Sequence, residues 1–256
     1  MLGAIAGDIV GSVYERRPMK RTDFELFGLG SVFTDDSVLT VATAEVLLEG
    51  GDYAGAYRRW YRRYPNRGFG PGFRRWASRD DAGPYWSLGN GSAMRVSPVG
   101  WAFGSLDEVL REARRSAEVT HDHPEGVKGA QAVAAAVFLA RTGTPRQEIR
   151  AYVARTFGYR LDRTVDQIRP GYRFDPTCPG SVPEALIAFL DSESWEDAVR
   201  KAVSLGGDSD TLACIAGAVA EAFYGGVPDP VRREAEARLP ADMLAVVRRF
   251  EVRHGP

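Results

Sequence analysis

Two short clusters in this sequence combine residues that can bind a hard cation. Phe33-Thr34-Asp35-Asp36-Ser37 and Gly206-Gly207-Asp208-Ser209-Asp210-Thr211 each set two carboxylates and a threonine hydroxyl where an apolar run begins. Helix capping explains either one alone, since Thr and Asp are favoured N-caps and negative charge suits a helix N-terminus. A second cluster of the same make-up changes the argument. Neither carries a lysine or arginine nearby in sequence, so joining them would concentrate about four negative charges, which two divalent cations would balance. Every donor is a hard oxygen, which selects magnesium, manganese or calcium over zinc or copper. Two such ions a few Å apart could hold a sugar diol and activate a water. Spacing leaves capping and metal binding both open, because it does not say whether the clusters meet.

The elements that would carry these clusters are helices. Apolar residues recur at helical spacing over 36–48, 106–117, 126–140, 146–157, 182–190, 195–203, 208–224 and 231–250, the last with a break near Pro240. Tyr53, Tyr57, Trp60, Tyr61 and Tyr64 would form one aromatic helix face, with Arg58, Arg59, Arg62 and Arg63 mostly on the other. Almost nothing alternates with a strand period. Gly3, Gly7 and Gly11 fall four apart, as do Ala213 and Gly217, and 130–136 is mostly alanine. Such small faces let helix backbones approach closely. The expected architecture is all-α: a single compact helical bundle over residues 1–256, with several nearly central helices. The longest irregular stretches run over 65–99 and 160–180, and long loops in a compact domain are where sites concentrate.

Composition narrows the function. The 256 residues are 44% hydrophobic, enough for a sizeable core, and the formal net charge of -1 argues against a surface dedicated to nucleic acid or anionic membrane. Two cysteines, Cys178 and Cys214, are too few for a disulfide scaffold, so a reducing cytoplasm is expected. The apolar start lacks a basic leader and is interrupted by Asp8, so no targeting segment is expected. No stretch reaches the roughly 18 apolar residues of a membrane span.

Five stretches in order, spanning Gly3 to Gly225, resemble the ADP-ribosylglycohydrolase family. They are Gly-Ala-Ile-Ala-Gly-Asp-Ile-Val-Gly-Ser-Val-Tyr-Glu ending at Glu15, the Thr34 cluster, Gly89-Asn90-Gly91-Ser92-Ala93-Met94-Arg95, Thr120-His121 with the helix after it, and the Asp208 cluster. The resemblance implies an all-α orthogonal bundle around a two-metal cleft. It assigns Thr34, Asp35, Asp36, Asp208, Asp210 and Thr211 as ligands of two divalent cations, Mg2+ or Mn2+. Substrate ribose would place its hydroxyls there, and a metal-activated water would release ADP-ribose from a modified macromolecule. By the same resemblance Ser87, Gly89, Asn90 and Gly91 line the diphosphate and distal-ribose pocket and His121 helps bind ADP-ribose. The first motif looks like the branch that hydrolyses serine-linked ADP-ribose, in which a glutamate at the position of Glu15 acts on the scissile bond. Asp35, Asp36 and Asp210 would share the catalytic work, and Asp8 would fix loop backbone near the site.

The bland alternatives are specific. Glu15 precedes Arg16-Arg17 and could simply pair with an arginine on a solvated helix end. Gly89-Asn90-Gly91 could bring backbone N–H groups to phosphate oxygens, or be only a turn. Leu88 stands where the serine-specific branch has an aromatic residue, which leaves Tyr85, Trp86, Tyr172 and Phe174 as candidates to stack on adenine. His121 and His123 lack a third nitrogen or sulfur ligand for a transition metal, and Cys178 reads as a loop thiol. The arginines and aromatics from Arg58 to Arg79 could contact single-stranded nucleic acid, but a solvated helix face is favoured. An ADP-ribosylarginine hydrolase and a non-catalytic ADP-ribose-binding protein are the alternative functions.

Overall fold

The computed structural model describes residues 1–255. Its regular structure, among the described residues, is helical apart from an isolated bridge between Gly89 and Thr177. The first five helices are α1 (Leu2–Gly11), α2 (Asp35–Glu49), α3 (Tyr53–Arg63), α4 (Pro71–Ala77) and α5 (Gly91–Met94). Next come α6 (Ser97–Ala102), α7 (Leu106–Glu118), α8 (Pro124–Arg141), α9 (Arg146–Phe157) and α10 (Val165–Ile168). The chain finishes with α11 (Cys178–Leu190), α12 (Trp195–Ser204), α13 (Ser209–Tyr224), α14 (Asp229–Ala237) and α15 (Ala241–His254). The protein is all-α. No helix among the described residues is long and apolar enough to cross a membrane.

Local chemistry explains most boundaries. Thr34 caps α2 by accepting from the Asp36 N–H, and Ser105 and Glu108 form a reciprocal capping box at α7. Gly225 ends α13 in the left-handed conformation at φ 77°. Pro240 separates α14 from α15, as its missing N–H requires.

α13 is buried from Ser209 to Ala222, so it needs small residues on several sides. α1 lies along it through the glycines. A Cβ on Gly3 would sit 2.5 Å from the Gly217 carbonyl oxygen, one on Gly7 2.1 Å from that of Ala213, and one on Gly11 2.3 Å from that of Ser209. Only hydrogen at these positions permits the contact. Glu221, buried on the same helix, accepts the Gly3 N–H at 2.9 Å.

Four expectations need correction. The 65–99 stretch contains α4, α5 and the first half of α6, and 160–180 contains α10 and the first residues of α11. Their turns are too short for a hydrophobic period to register. Cys178 is therefore not a loop thiol: it opens α11, fully buried, against Gly129 of α8. α1 stops at Gly11, so Glu15 lies on the turn beyond the helix rather than at its end. Arg58 is buried, its guanidinium 4.2 Å over the Trp76 ring and donating to the Ala82 carbonyl at 2.7 Å. The remaining arginines of α3 pair on the surface with Glu45, Asp80 and Asp242.

Candidate active site

The packing of α1 against α13 carries Asp8 to the point where the N-termini of α2 and α13 converge. Asp8 is fully buried. Its carboxylate accepts the Thr34 N–H at 2.9 Å and hydroxyl at 2.6 Å, the Ser37 N–H at 3.1 Å, and the Ser37 hydroxyl. It thus fastens the first turn of α2, the backbone-fixing position expected of it. One carboxylate oxygen each from Asp8, Asp36 and Asp210 lie within 4.8 Å of one another, all buried. The two acidic clusters therefore meet.

This convergence is electrostatically unfavourable without a cation. Burial, then the Asp8 charge, pushes the Asp35 and Asp36 carboxyls well above the ordinary aspartate range. Burial, then the Asp208 charge, does the same to Asp210. Asp8 is raised by burial to about 6, against four hydrogen bonds that lower it. Asp36 Oδ1 is buried with no hydrogen-bond partner. An orphaned carboxylate oxygen among like charges is the environment that a divalent cation relieves, and the all-oxygen donor set fits magnesium or manganese.

Above this floor opens a cleft of about 630 Å³. Thr34, Asp35, Asp36, Asp208, Asp210 and Thr211 all line it, and so does Glu15. Ser87, Gly89, Asn90, Gly91 and His121 line the wall. The loop over 87–91 is strapped to the start of α11: Asn90 N donates to Pro176 O at 2.8 Å and Cys178 N to Leu88 O at 2.9 Å. Asn90 Nδ2 donates to Asp208 Oδ2 at 2.7 Å and to Ser181 Oγ at 3.0 Å, so the loop orients a carboxylate of the floor. Glu15 is half-buried, and its carboxyl is raised by burial and then by Asp208, against the lowering effect of Arg16. It makes no ion pair among the described residues, and it faces the cleft rather than an arginine.

His121 is buried, and burial, followed by the Arg95 charge, holds its pKa well below the usual histidine value, so the ring is neutral. Its Nδ1 lies 2.7 Å from Thr120 Oγ1, which accepts from Arg95 Nη2 at 2.8 Å. The Thr120 hydroxyl thus links Arg95 to Nδ1, which leaves Nε2 as the ring's other polar atom. That nitrogen faces Gly91, where a Cβ would come within 3.1 Å. His123 is instead the N-cap of α8, accepting from Glu125 N at 3.0 Å, so the two histidines do not form a common site.

Of the four aromatic candidates, Tyr85 and Phe174 line the cleft, whereas Trp86 and Tyr172 do not. Trp86 is exposed, at φ 54°, with its ring edge-on to His123; Tyr172 packs against Gly207 and donates to Gly180 O at 2.8 Å. Leu88 is also outside the cleft lining. Two further contributors complete the site. The turn at Asn66-Arg67-Gly68 forms one rim, with Arg67 O accepting from Asp35 N at 2.6 Å and Gly68 at φ 97° so close that a Cβ would meet Asp35 Oδ1 at 2.9 Å. The Asn-x-Gly spacing was the available signal. Arg95 is fully buried with its guanidinium 4.1 Å over Tyr57 and braces Thr120 and hence His121.

Known proteins resemble this chain over nearly its whole length. The sequence model of the ADP-ribosylglycohydrolase family matches residues 1–254. ADP-ribosylhydrolase ARH3 of Bos taurus is 29% identical, over 96% of this chain and 90% of its own length. The Homo sapiens ARH3 is 28% identical over the same shares. ADP-ribosylarginine hydrolase Tri1 of Pseudomonas putida is 29% identical, over 88% of this chain and 69% of that protein. A solved structure described as an ADP-ribosylglycohydrolase-related protein complex superposes with a TM-score of 0.70 at 28% identity, covering 98% of this chain and 96% of the other. With the match running from the first helix to the last and the acidic helix starts converging beneath one cleft, the chain belongs to the ADP-ribosylglycohydrolase family.

Proposed function

We propose that this protein hydrolyses the glycosidic bond between ADP-ribose and a modified macromolecule, with O-linked, serine-type conjugates favoured, and that it depends on two divalent cations, Mg2+ or Mn2+. The observation that carries this reading is the buried meeting of Asp8, Asp36 and Asp210 beneath a cleft walled by the Ser87–Gly91 loop and His121. Thr34, Asp35, Asp36, Asp208, Asp210 and Thr211 would hold the cations. When bound, these supply Lewis-acid charge for the ribose diol and for an attacking water.

The chain's own groups supply the rest. Asp35, Asp36 and Asp210, their charge offset by the cations they would hold, orient the attacking water toward the anomeric carbon as the glycosidic bond breaks. Glu15, whose carboxyl retains its proton more readily than a free glutamate, passes that proton to the leaving oxygen. Ser87, Gly89, Asn90 and Gly91 line the diphosphate pocket, where the Gly91 N–H is the one left to meet a phosphate oxygen, those of Gly89 and Asn90 being held by Ser87 Oγ and Pro176 O, and His121 helps bind ADP-ribose. Tyr85 or Phe174 covers the adenine. Residues 1–256 act as one domain, in a reducing cytoplasm that suits two unpaired thiols, and nucleic-acid contact is not required.

The test is release of free ADP-ribose from serine-linked and arginine-linked ADP-ribosyl peptides, with magnesium, manganese or chelator, for wild type and Asp210→Asn. Cation-dependent release that the substitution abolishes supports the proposal. Tight ADP-ribose binding without release from either peptide sinks it in favour of a binding protein. Preference for the arginine conjugate would favour the second reading, to which the relative named as an ADP-ribosylarginine hydrolase points.

A further inference from the structure

Beyond Glu15 the cleft continues into a second groove of about 830 Å³, which shares Glu15 and Phe174 with it and ends at Gly206 and Gly207, just before Asp208. Its walls carry Lys20, Arg169 and Arg173. Lys20 holds the groove together: Nζ donates to Arg169 O and Tyr172 O, each at 2.9 Å, and to Leu205 O. All three of its donors are spent, so it contributes charge but no free hydrogen. Arg169 is partly neutralised by Asp166. Arg173 is exposed and bonds only carbonyls of its own loop, at Pro170 and Tyr172, with no carboxylate partner among the described residues. The three cations feel one another: after partial burial, the Arg173 and Arg169 charges are what lower the Lys20 pKa.

We infer that this groove receives the polypeptide that carries the ADP-ribose, and that it selects an acidic segment flanking the modified residue. The inference rests on the hydrolase reading, since it takes the ribose to lie over the acidic floor and the leaving group to depart past Glu15. Excess positive charge beside the departing group steers carboxylates toward the groove and disfavours basic flanks. Polypeptide fits better than polynucleotide: Phe174 is the one aromatic in the groove lining among the described residues, and Pro18 and Pro170 form apolar walls, whereas a single strand needs a platform of several stacking rings.

The experiment compares three substrates with the intact protein in magnesium. Two are ADP-ribosylserine peptides differing only in Glu or Ala flanks, and the third is ADP-ribosylserine without a peptide. The acidic peptide is expected to show a KM about fivefold lower than the neutral one, an advantage that added salt screens. Arg173→Gln should remove that advantage and Arg173→Glu reverse it, with ADP-ribosylserine turned over at an unchanged rate. Equal KM values for the two peptides would overturn the inference while leaving the hydrolase reading intact. So would preferential hydrolysis of an ADP-ribosylated oligonucleotide that Arg173→Glu abolishes. If no conjugate is hydrolysed, the hydrolase reading fails, and fluorescence anisotropy with the same two labelled conjugates still decides the groove: tighter binding of the acidic one, lost in Arg173→Glu, supports it, and equal binding refutes it.

Discussion

Single side chains set the chemistry of the floor and its rigidity. Asp36 is buried with one oxygen unpartnered, so Asp36→Asn replaces a cation-holding charge by a neutral amide of nearly the same shape. Hydrolysis is expected to fall at least about a hundredfold with the fold retained, measured as ADP-ribose release beside a urea denaturation curve. Asn90 acts one step back, aiming Asp208 through a 2.7 Å hydrogen bond. Asn90→Ala should weaken cation affinity about tenfold to a hundredfold, read as a rise in the magnesium concentration for half-maximal rate. His121 predicts a pH dependence of stability. Its folded pKa lies below its ordinary value of 6.5 because burial, then Arg95, disfavours the imidazolium. The unfolded chain takes up the proton first, so its contribution is complete above about pH 6.5 and is lost as pH falls toward the folded pKa. Urea midpoints measured from pH 7.5 to 5 should decline more steeply for wild type than for His121→Asn, and parallel curves would remove His121 as the cause.

At the scale of elements, the contact between α1 and α13 is what delivers Asp8 to the floor. Its closeness depends on glycine: at Gly7 even one methyl would sit 2.1 Å from the Ala213 carbonyl oxygen. Gly7→Ala must push the helices apart and is expected to destabilise the protein by about 1–3 kcal/mol in chemical denaturation. Gly104, which has nothing within 4 Å of its missing Cβ, is the control, and Gly104→Ala should stay within about 0.5 kcal/mol of wild type. The separation of α1 from α13 also loosens the hold of Asp8 on Thr34 and Ser37. Cation affinity should therefore fall together with stability, although residue 7 does not line the cleft.

For the molecule as a whole, the acidic floor is a strain that the rest of the core holds in place, since several carboxylates are buried together against their preference for water. A divalent cation at a concentration a hundred times its Kd should stabilise the folded state by about 2.7 kcal/mol, or about 5–10 °C in Tm, and a chelator should reverse it. A Tm indifferent to magnesium, manganese and chelator alike would remove the two-cation floor. Much of this was open to inspection in the primary structure, because its causes are local. Helix starts at Thr34 and Asp208, the break at Pro240 and the small faces of α1 and α13 each follow from residues three or four apart. Short helices such as α5 and α10 leave no such mark, because four residues make barely one turn and no period repeats within it. Local pattern equally misplaced Arg58, assigned to a solvated face by its spacing but buried because Trp76 of the next helix offers it a ring. The sequence by itself determined the helical class, the two acidic helix starts and the inventory of groups able to act. Only the tertiary structure decided that Asp36 and Asp210 meet over Asp8, that Glu15 faces the cleft, and that Tyr85 and Phe174 line it while Trp86 and Tyr172 do not. These depend on how closely helices far apart in the chain approach one another, a long-range packing outcome that no local period encodes.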